Sequence, residues 1–490
     1  MNSFSNKSLA CDVKSTQEEQ SLSESYVSDI LNYRGTTKGS LTPTDLSTLN
    51  ASKNKIDKIL FAGNYIGAIL ESKRLINTVI NIQLQDSILQ NDVLNGYLDY
   101  AFNAMNTAYQ NAKQFRNIGI VIDGNTELAT SSTMGDGTII NPYIISNLYV
   151  APVDQRTCLI IKNTNRYFTL TSCAFKNFLV PYPQQGGDCV SLENVTNAVI
   201  QGNSFTGYPS TSISTDSASS NIFILDNEIY GYAYSAIEVA SNNSVIQGNW
   251  IYNRFDVPNA AISLIGVKND QLVGNTLYFC SIAILGKHVE NYNTITIDSS
   301  NIINYHPVLY LVQKTNAQVQ TSIASISGPI GQLCLVQCNN TVLHRLSIDT
   351  ISTGPGVSFV DCVNDVINDT RFTGINNGIG IYNSTGCVVG NNILSHASFP
   401  IDISGGSGNT IKNSTVTASE QGIWLEATKN NQVSSNSISI LQLGGDCGIY
   451  LTFGSTQNFI TGNTINCNIP TNQSANENFG IYINEVSGNN

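Results

Sequence analysis

Apolar residues change their spacing twice along the chain, and the three stretches so defined predict different structures. Up to residue 52 they are sparse and aperiodic among Ser, Thr and Asn, the pattern of a flexible polar arm. From 53 to 115 they recur at helical spacing: Ile56, Ile59, Leu60, Ile66, Ile69 and Leu70, then Leu94, Leu98, Ala101, Met105 and Ala108 in alternating steps of 4 and 3. No proline falls between Pro43 and Pro142. This predicts two or three amphipathic helices forming an α-helical cap or attachment segment. The 94–108 seam is short for a coiled coil, although an oligomerising one stays open. From 116 to 490 the spacing is that of short β-strands, each bounded by Gly and Asn.

Within the β region one motif recurs: VIQGNSF (199–205), FILDNEI (223–229), VIQGNWI (245–251), QLVGNTL (271–277), CVVGNNI (387–393), QVSSNSI (432–438) and FITGNTI (459–465). Its Asn positions, 203, 227, 249, 275, 391, 436 and 463, mark a turn expected to take left-handed backbone and to bond its own counterpart one rung away. Degenerate copies at 342–348 and 366–372, with weak turns near Asn301 and Ser322, fill the gap after 275. A second strand class alternates with the first, as in AIEVA (236–240), GIGIY (378–382), GIWLE (422–426) and GIYIN (480–484). Two strand classes per repeat, at a pitch of 22–27 residues, describe one turn of a right-handed parallel β-helix. The expected fold class is therefore an all-β right-handed parallel β-helix, a solenoid, with an N-terminal α-helical segment.

On these repeats, the region from about 117 to 490 resembles the pectin-lyase-like right-handed β-helix superfamily, and the GIYL/GNTI alternation is similar to its carbohydrate-binding and sugar-hydrolase (CASH) repeats. The resemblance implies the fold, and it implies that glycans bind along the outer strand face. It leaves activity open, because lyases, hydrolases, epimerases, tailspikes and adhesins share this architecture.

Composition narrows the partners. The 61 Asn exceed the 58 charged residues, so the polarity is amide and hydroxyl rather than ionic. A net charge of −12 argues against binding nucleic-acid backbone or anionic membrane. No apolar run reads as a signal peptide or membrane span. The 11 Cys are scattered without a C-x2-C pair, which suits small buried thiols made in a reducing compartment. Localisation is otherwise open, with a virion or cell surface as the expected context.

Strand parity nominates the site. In GIWLE, Ile423 and Leu425 point inward, which turns Trp424 and Glu426 outward. Carried along the rungs, the same parity gives an outward ladder of Glu238, Ser263, Ala283, Ser358, Gly380, Asp402, Trp424, Tyr450 and Tyr482. Asp402 and Glu426 are the candidate catalytic pair, since glycoside hydrolysis uses two carboxylates at defined separation. Trp424, Tyr450, Tyr482 and Glu238 are the candidate substrate contacts, with flat rings suited to sugar faces. Asp361, Asp365 and Asp369 have cation-like spacing but lack the glycine and terminal Glu of a calcium loop, and the four His stand in unrelated contexts. No metal site or cofactor is expected. Nor do the catalytic motifs of the superfamily's polygalacturonases, pectin esterases, epimerases or lyases occur.

The expected function is an extended β-helix recognising glycan or protein, an adhesin- or tailspike-like surface component. The alternatives are a polysaccharide lyase or glycoside hydrolase working along the outer strand face, and a purely architectural assembly protein. The last strand has no obvious cap after it. That predicts a homo-oligomer or an end-docking partner at the C-terminal rung.

Overall fold

A computed structural model describes residues 43–484 apart from 62–64, 86–91, 113, 153–155, 179–186, 253–259, 350–353, 374–376, 398, 419, 442–446 and 468–478. The chain forms two compact units that divide between Ala112 and Lys113.

The first unit consists of α1 (Pro43–Phe61), α2 (Tyr65–Gln85) and α3 (Asp92–Ala112). Leu49 and Ile56 of α1, Leu75, Ile76 and Val79 of α2, and Leu94, Leu98, Ala101, Met105 and Ala108 of α3 are all buried. The α3 seam expected from spacing is thus a packed face. Glu71 is buried among them and is held by Lys55 Nζ at 2.8 Å and Arg74 Nη1 at 3.1 Å. α1 starts inside the stretch expected to be a polar arm reaching residue 52. Pro43 stands at its first position, where the missing N–H costs nothing, and Leu49 extends the apolar seam about two turns upstream of Ile56. The rest of that arm, residues 1–42, lies outside the described residues.

The second unit is the solenoid. One of its coils runs through the strands Phe399–Ser404, Thr410–Lys412 and Thr415–Ala418, and the next opens with Gln421–Glu426. Left-handed residues bend this coil at three corners, Gly405 with Gly406, Gly408 and Asn413. Each strand pairs in parallel with its counterpart one coil on, Ile401 with Ile423, Thr410 with Gln432 and Thr415 with Ser437. Inward residues such as Ile401, Ile403, Ile411 and Val416 are fully buried, so the strands of this coil each turn one face into an apolar core.

The Asn turn differs from expectation in one respect. The left-handed residue is the one before the ladder Asn: Gly202, Asp226, Gly248 and Gly274 have φ of 64°, 52°, 67° and 62°. The Asn that follows turns inward. Asn203, Asn227, Asn249, Asn275 and Asn301 are buried, and each Oδ1 after the first accepts the backbone N–H of the preceding ladder Asn at 3.0–3.1 Å. Their Nδ2 groups donate to main-chain carbonyls, as Asn249 does to Ile224 O at 2.8 Å. For CVVGNNI the ladder member is consequently Asn392, while Asn391 takes the left-handed corner.

The repeat breaks between residues 286 and 331. Asn301 keeps its ladder position, but Ser322 marks no turn and lies inside the helix Asn316–Ala324, which is opened by a capping box between Thr315 and Gln318. Before it, Asn304 and Tyr305, both left-handed, form a hairpin that pairs Ile303 with His306 antiparallel. The outer sheet of the first half ends at Ile282–Leu285, and that of the second half begins at His306–Val312. The apolar core divides at the same place, one cluster ending at Val308 and the other beginning at Leu309.

Candidate functional site

On the outer sheet the expected ladder is present in two segments. Glu238, Ser263 and Ala283 are register partners in the first half, and Ser358, Gly380, Asp402, Trp424, Tyr450 and Tyr482 in the second. The second segment also contains Tyr310 and Cys334, which precede Ser358. Sequence reasoning passed over them because HPVLYLV and QLCLV lie in and just after the stretch where the Gly-Asn motif lapses.

A groove of about 1010 Å³ runs along this face and crosses the break. Glu238 lies at its first-half end and Asp402 and Glu426 at the other, with Ile284, Tyr310 and Tyr382 between them. Tyr382 was not foreseen, because it occupies the second outward column of its strand, in register with Ser404 and, one rung further, Glu426. A Cβ on Gly380 would stand 2.5 Å from the Tyr382 Oη, so glycine at 380 leaves the space the tyrosine ring occupies. The ring thereby lies back along the strand and sets its hydroxyl beside Asp402.

Burial pushes the Asp402 carboxyl up to about 7, with the Glu426 charge adding to the rise and the Tyr382 hydroxyl opposing it. Asp402 Oδ1 is out of solvent and has no hydrogen-bond partner among the described residues. Glu426 accepts a long hydrogen bond of 3.4 Å from Ser404 Oγ. One rung and two residues apart, the two acidic positions are separated by roughly 8 Å between Cα atoms, from a spacing of about 4.8 Å between strands and 3.3 Å along them. At the opposite end Glu238 is also raised, by burial and then by the charge of Asp188. Asp188 in turn accepts from Ser214 Oγ at 2.7 Å and from the Thr211 N–H at 3.0 Å.

The three candidate aromatics are placed differently. Trp424 packs between Phe399 and Tyr450 with ring centroids at 5.6 and 5.8 Å, and Tyr450 stacks on Tyr482 at 5.4 Å. Their faces are taken up by one another along the ladder, and none of the three lines the groove. Of the column, Tyr482 is the most open, at 37% exposure. The acidic triplet also separates: Asp361 and Asp369 sit at left-handed corners, whereas Asp365 turns inward and accepts the Thr341 N–H at 2.7 Å. Four-residue spacing around a coil with three corners points these carboxylates apart.

Comparison with known proteins matches the chain in two pieces that meet at the break. Residues 118–287 match the model described as right handed beta helix region, and residues 290–489 match that of the periplasmic copper-binding protein NosD. Among the described residues no three His, Cys, Asp or Glu side chains are grouped to hold a metal, so the copper in that description has no matching donor set among them. A search of curated proteins finds no match.

Solved structures with similar coils include the Dettilon tailspike protein (12% identity, 78% of this chain, 64% of that chain, TM-score 0.25). The chain therefore spans less than two thirds of the tailspike's own length. Others are PfbA, a surface adhesin of Streptococcus pneumoniae (12%, 80% and 89%, TM-score 0.25), and a family 28 exopolygalacturonase of Yersinia enterocolitica (10%, 78% and 75%, TM-score 0.24). At such TM-scores these likenesses carry no argument about function. Also, among the described residues no helix is long and apolar enough to cross a membrane. Two adjoining family matches, a parallel coil with inward Asn ladders and three stacked sheets make this chain a member of the pectin-lyase-like superfamily of right-handed parallel β-helices.

Proposed function

We propose that the solenoid recognises a carbohydrate chain along the groove of its outer strand face, as a surface component of adhesin or tailspike kind, with the helical unit serving as its cap or attachment. The supporting observation is the groove itself: carboxyls stand at both ends, and between them lie tyrosines that offer apolar faces and hydroxyls together. This mixture suits sugar rings, whose CH faces need apolar contact while their hydroxyls need fixed donors and acceptors. A glycan array tests the reading. Retained glycans should be lost from a Glu238→Gln/Glu426→Gln double variant that keeps its melting temperature, and an array with no glycan retained sinks it.

The Asp402–Glu426 pair favours hydrolysis as the second reading. A carboxyl pushed up to about 7 keeps a protonated fraction at neutral pH that can serve as a general acid, while Glu426 on the neighbouring rung supplies the second carboxylate. Activity should fall as pH rises through about 7 and should vanish in Asp402→Asn. Release of reducing ends from a polysaccharide panel is the measurement, and no release across the panel removes this reading for those substrates.

A further inference from the structure

The groove crosses the place where the first outer sheet stops, so one of its walls is a strand edge. In Ile282–Leu285 the carbonyls of Ser281 and Leu285 accept from Ala261 and Gly266 of the preceding coil at 2.8 and 2.7 Å. Alternation then turns the N–H and C=O of Ile282, Ile284 and Gly286 the other way, where no further strand follows.

Side chains close two of these three positions. The Gln332 amide pairs with Ile282, its Oε1 accepting the N–H at 3.2 Å and its Nε2 donating to the carbonyl at 2.9 Å. At Gly286 one hydroxyl serves both groups: Tyr292 Oη accepts the N–H at 3.2 Å and donates to the carbonyl at 3.1 Å. Ile284, between them, is half-buried and lines the groove, and its N–H and C=O meet no partner among the described residues.

We infer that the main-chain N–H and C=O of Ile284 form a sugar-hydroxyl subsite, in which one hydroxyl of a neutral pyranose accepts from the N–H and donates to the carbonyl. The chemistry is already present one step along the same strand, where the Tyr292 hydroxyl does this to Gly286. A partner strand would need several consecutive open positions, and the two side-chain caps leave only one. A group held this way is read by rigid main chain rather than by a mobile side chain, so it fixes the register of a glycan in the groove. The inference rests on the glycan reading given above.

Residue-resolved amide exchange on the full chain tests it, together with binding of cellohexaose, mannohexaose and galactohexaose. In the free protein the Ile284 amide should exchange at least tenfold faster than those of Ile282 and Gly286, and a bound hexasaccharide should slow it at least tenfold. Ile284→Pro removes the N–H at an edge position that makes no ladder bond, so it should keep the fold and weaken binding tenfold or more, whereas Ile284→Val should bind normally. An Ile284 amide as protected in the free chain as its two neighbours overturns the subsite, whether or not the proline variant folds. A hexasaccharide that binds without slowing Ile284 overturns the subsite and leaves the groove reading standing. Binding of none of the three, or of extended peptides instead, overturns both.

Discussion

The two halves of the solenoid build the same coil with different interior ladders. In the first half five Asn in succession, 203 to 301, pass hydrogen bonds rung to rung, each Oδ1 serving both the N–H and, for most, the Nδ2 of its neighbour. In the second half the equivalent ladder mixes Thr370, Asn392, Ser414, Asn436 and Asn463, and a hydroxyl replaces an amide at intervals. At another corner of that half Asp365 accepts the Thr341 N–H, and Asn409, Asn431 and Asn458 accept in turn from Cys387, Asn409 and Asn431, as Ser219 and Asp270 do for Val195 and Ser244 in the first half. Either arrangement satisfies buried main chain at the corners, and both produce a regular wall. The groove belongs to neither half alone. It appears where one regular stack stops and the other starts, because there the outer face gains a step and an unpaired edge.

The largest effect should separate the ladders. Asn249→Ala removes the acceptor of two buried donors on Asn227 and leaves Asn275 Oδ1 and Ile224 O without its amide. It should cost roughly 3 kcal/mol in urea unfolding, since each buried unsatisfied group costs about 1–3 kcal/mol. Ser414→Ala strands only the Asn392 N–H and should cost roughly 1 kcal/mol on the same scale. Equal losses would erase the distinction drawn between the halves.

Next comes pH. Asp270 in the first half and Asp365 in the second place carboxyls at inward corner positions, where burial pushes them up to about 7 and about 6. Each accepts one main-chain N–H and leaves Oδ2 without a partner among the described residues. Because the folded state holds these protons more tightly than the unfolded chain, the stabilisation is full below the ordinary value of 3.8. It is lost as pH rises toward about 7 for Asp270 and about 6 for Asp365. Each group contributes a slope of at most about 1.4 kcal/mol per pH unit. Asp270→Asn and Asp365→Asn should flatten that slope in melts between pH 4 and 8, and an unchanged slope would place the titration elsewhere.

Smaller effects concern the second-half end of the groove. Gly380→Ala should displace the Tyr382 ring and raise the Asp402 titration further, since the hydroxyl that opposes the rise is moved away. Carboxyl titration by NMR reads this directly, with Gly480→Ala, where no atom lies near the added Cβ, as the silent control. The smallest shift should come from Glu426→Gln, which removes a like charge and lowers the Asp402 titration modestly. A rise there would contradict the arrangement of the pair.

Much of this was legible in the residues. A ladder follows from period, so Asp402, Trp424, Tyr450 and Tyr482 align in the structure as their motifs align in sequence. The ladder Asn was legible as well, although its left-handed partner was displaced by one residue, since Gly-Asn and Asn-Asn look alike when only one of the two is counted. Tyr382, Tyr310, Gln332 and Ile284 were not legible. Three of them lie in or beside the segment where the repeat lapses, and Tyr382 acts through a fold-back over Gly380 that strand parity does not describe. The Thr315-x-x-Gln318 capping box was the one local signal that a helix interrupts the count.

By itself the sequence determined the coil, the inward and outward parity and the rung spacing, because these are periodic and each rung repeats the chemistry of the last. Tertiary structure alone decided which outward residues share a groove. That depends on how two stacks meet across a hairpin and a helix, where contacts join Glu238 to Asp402 over more than a hundred and fifty residues of sequence and no period connects them.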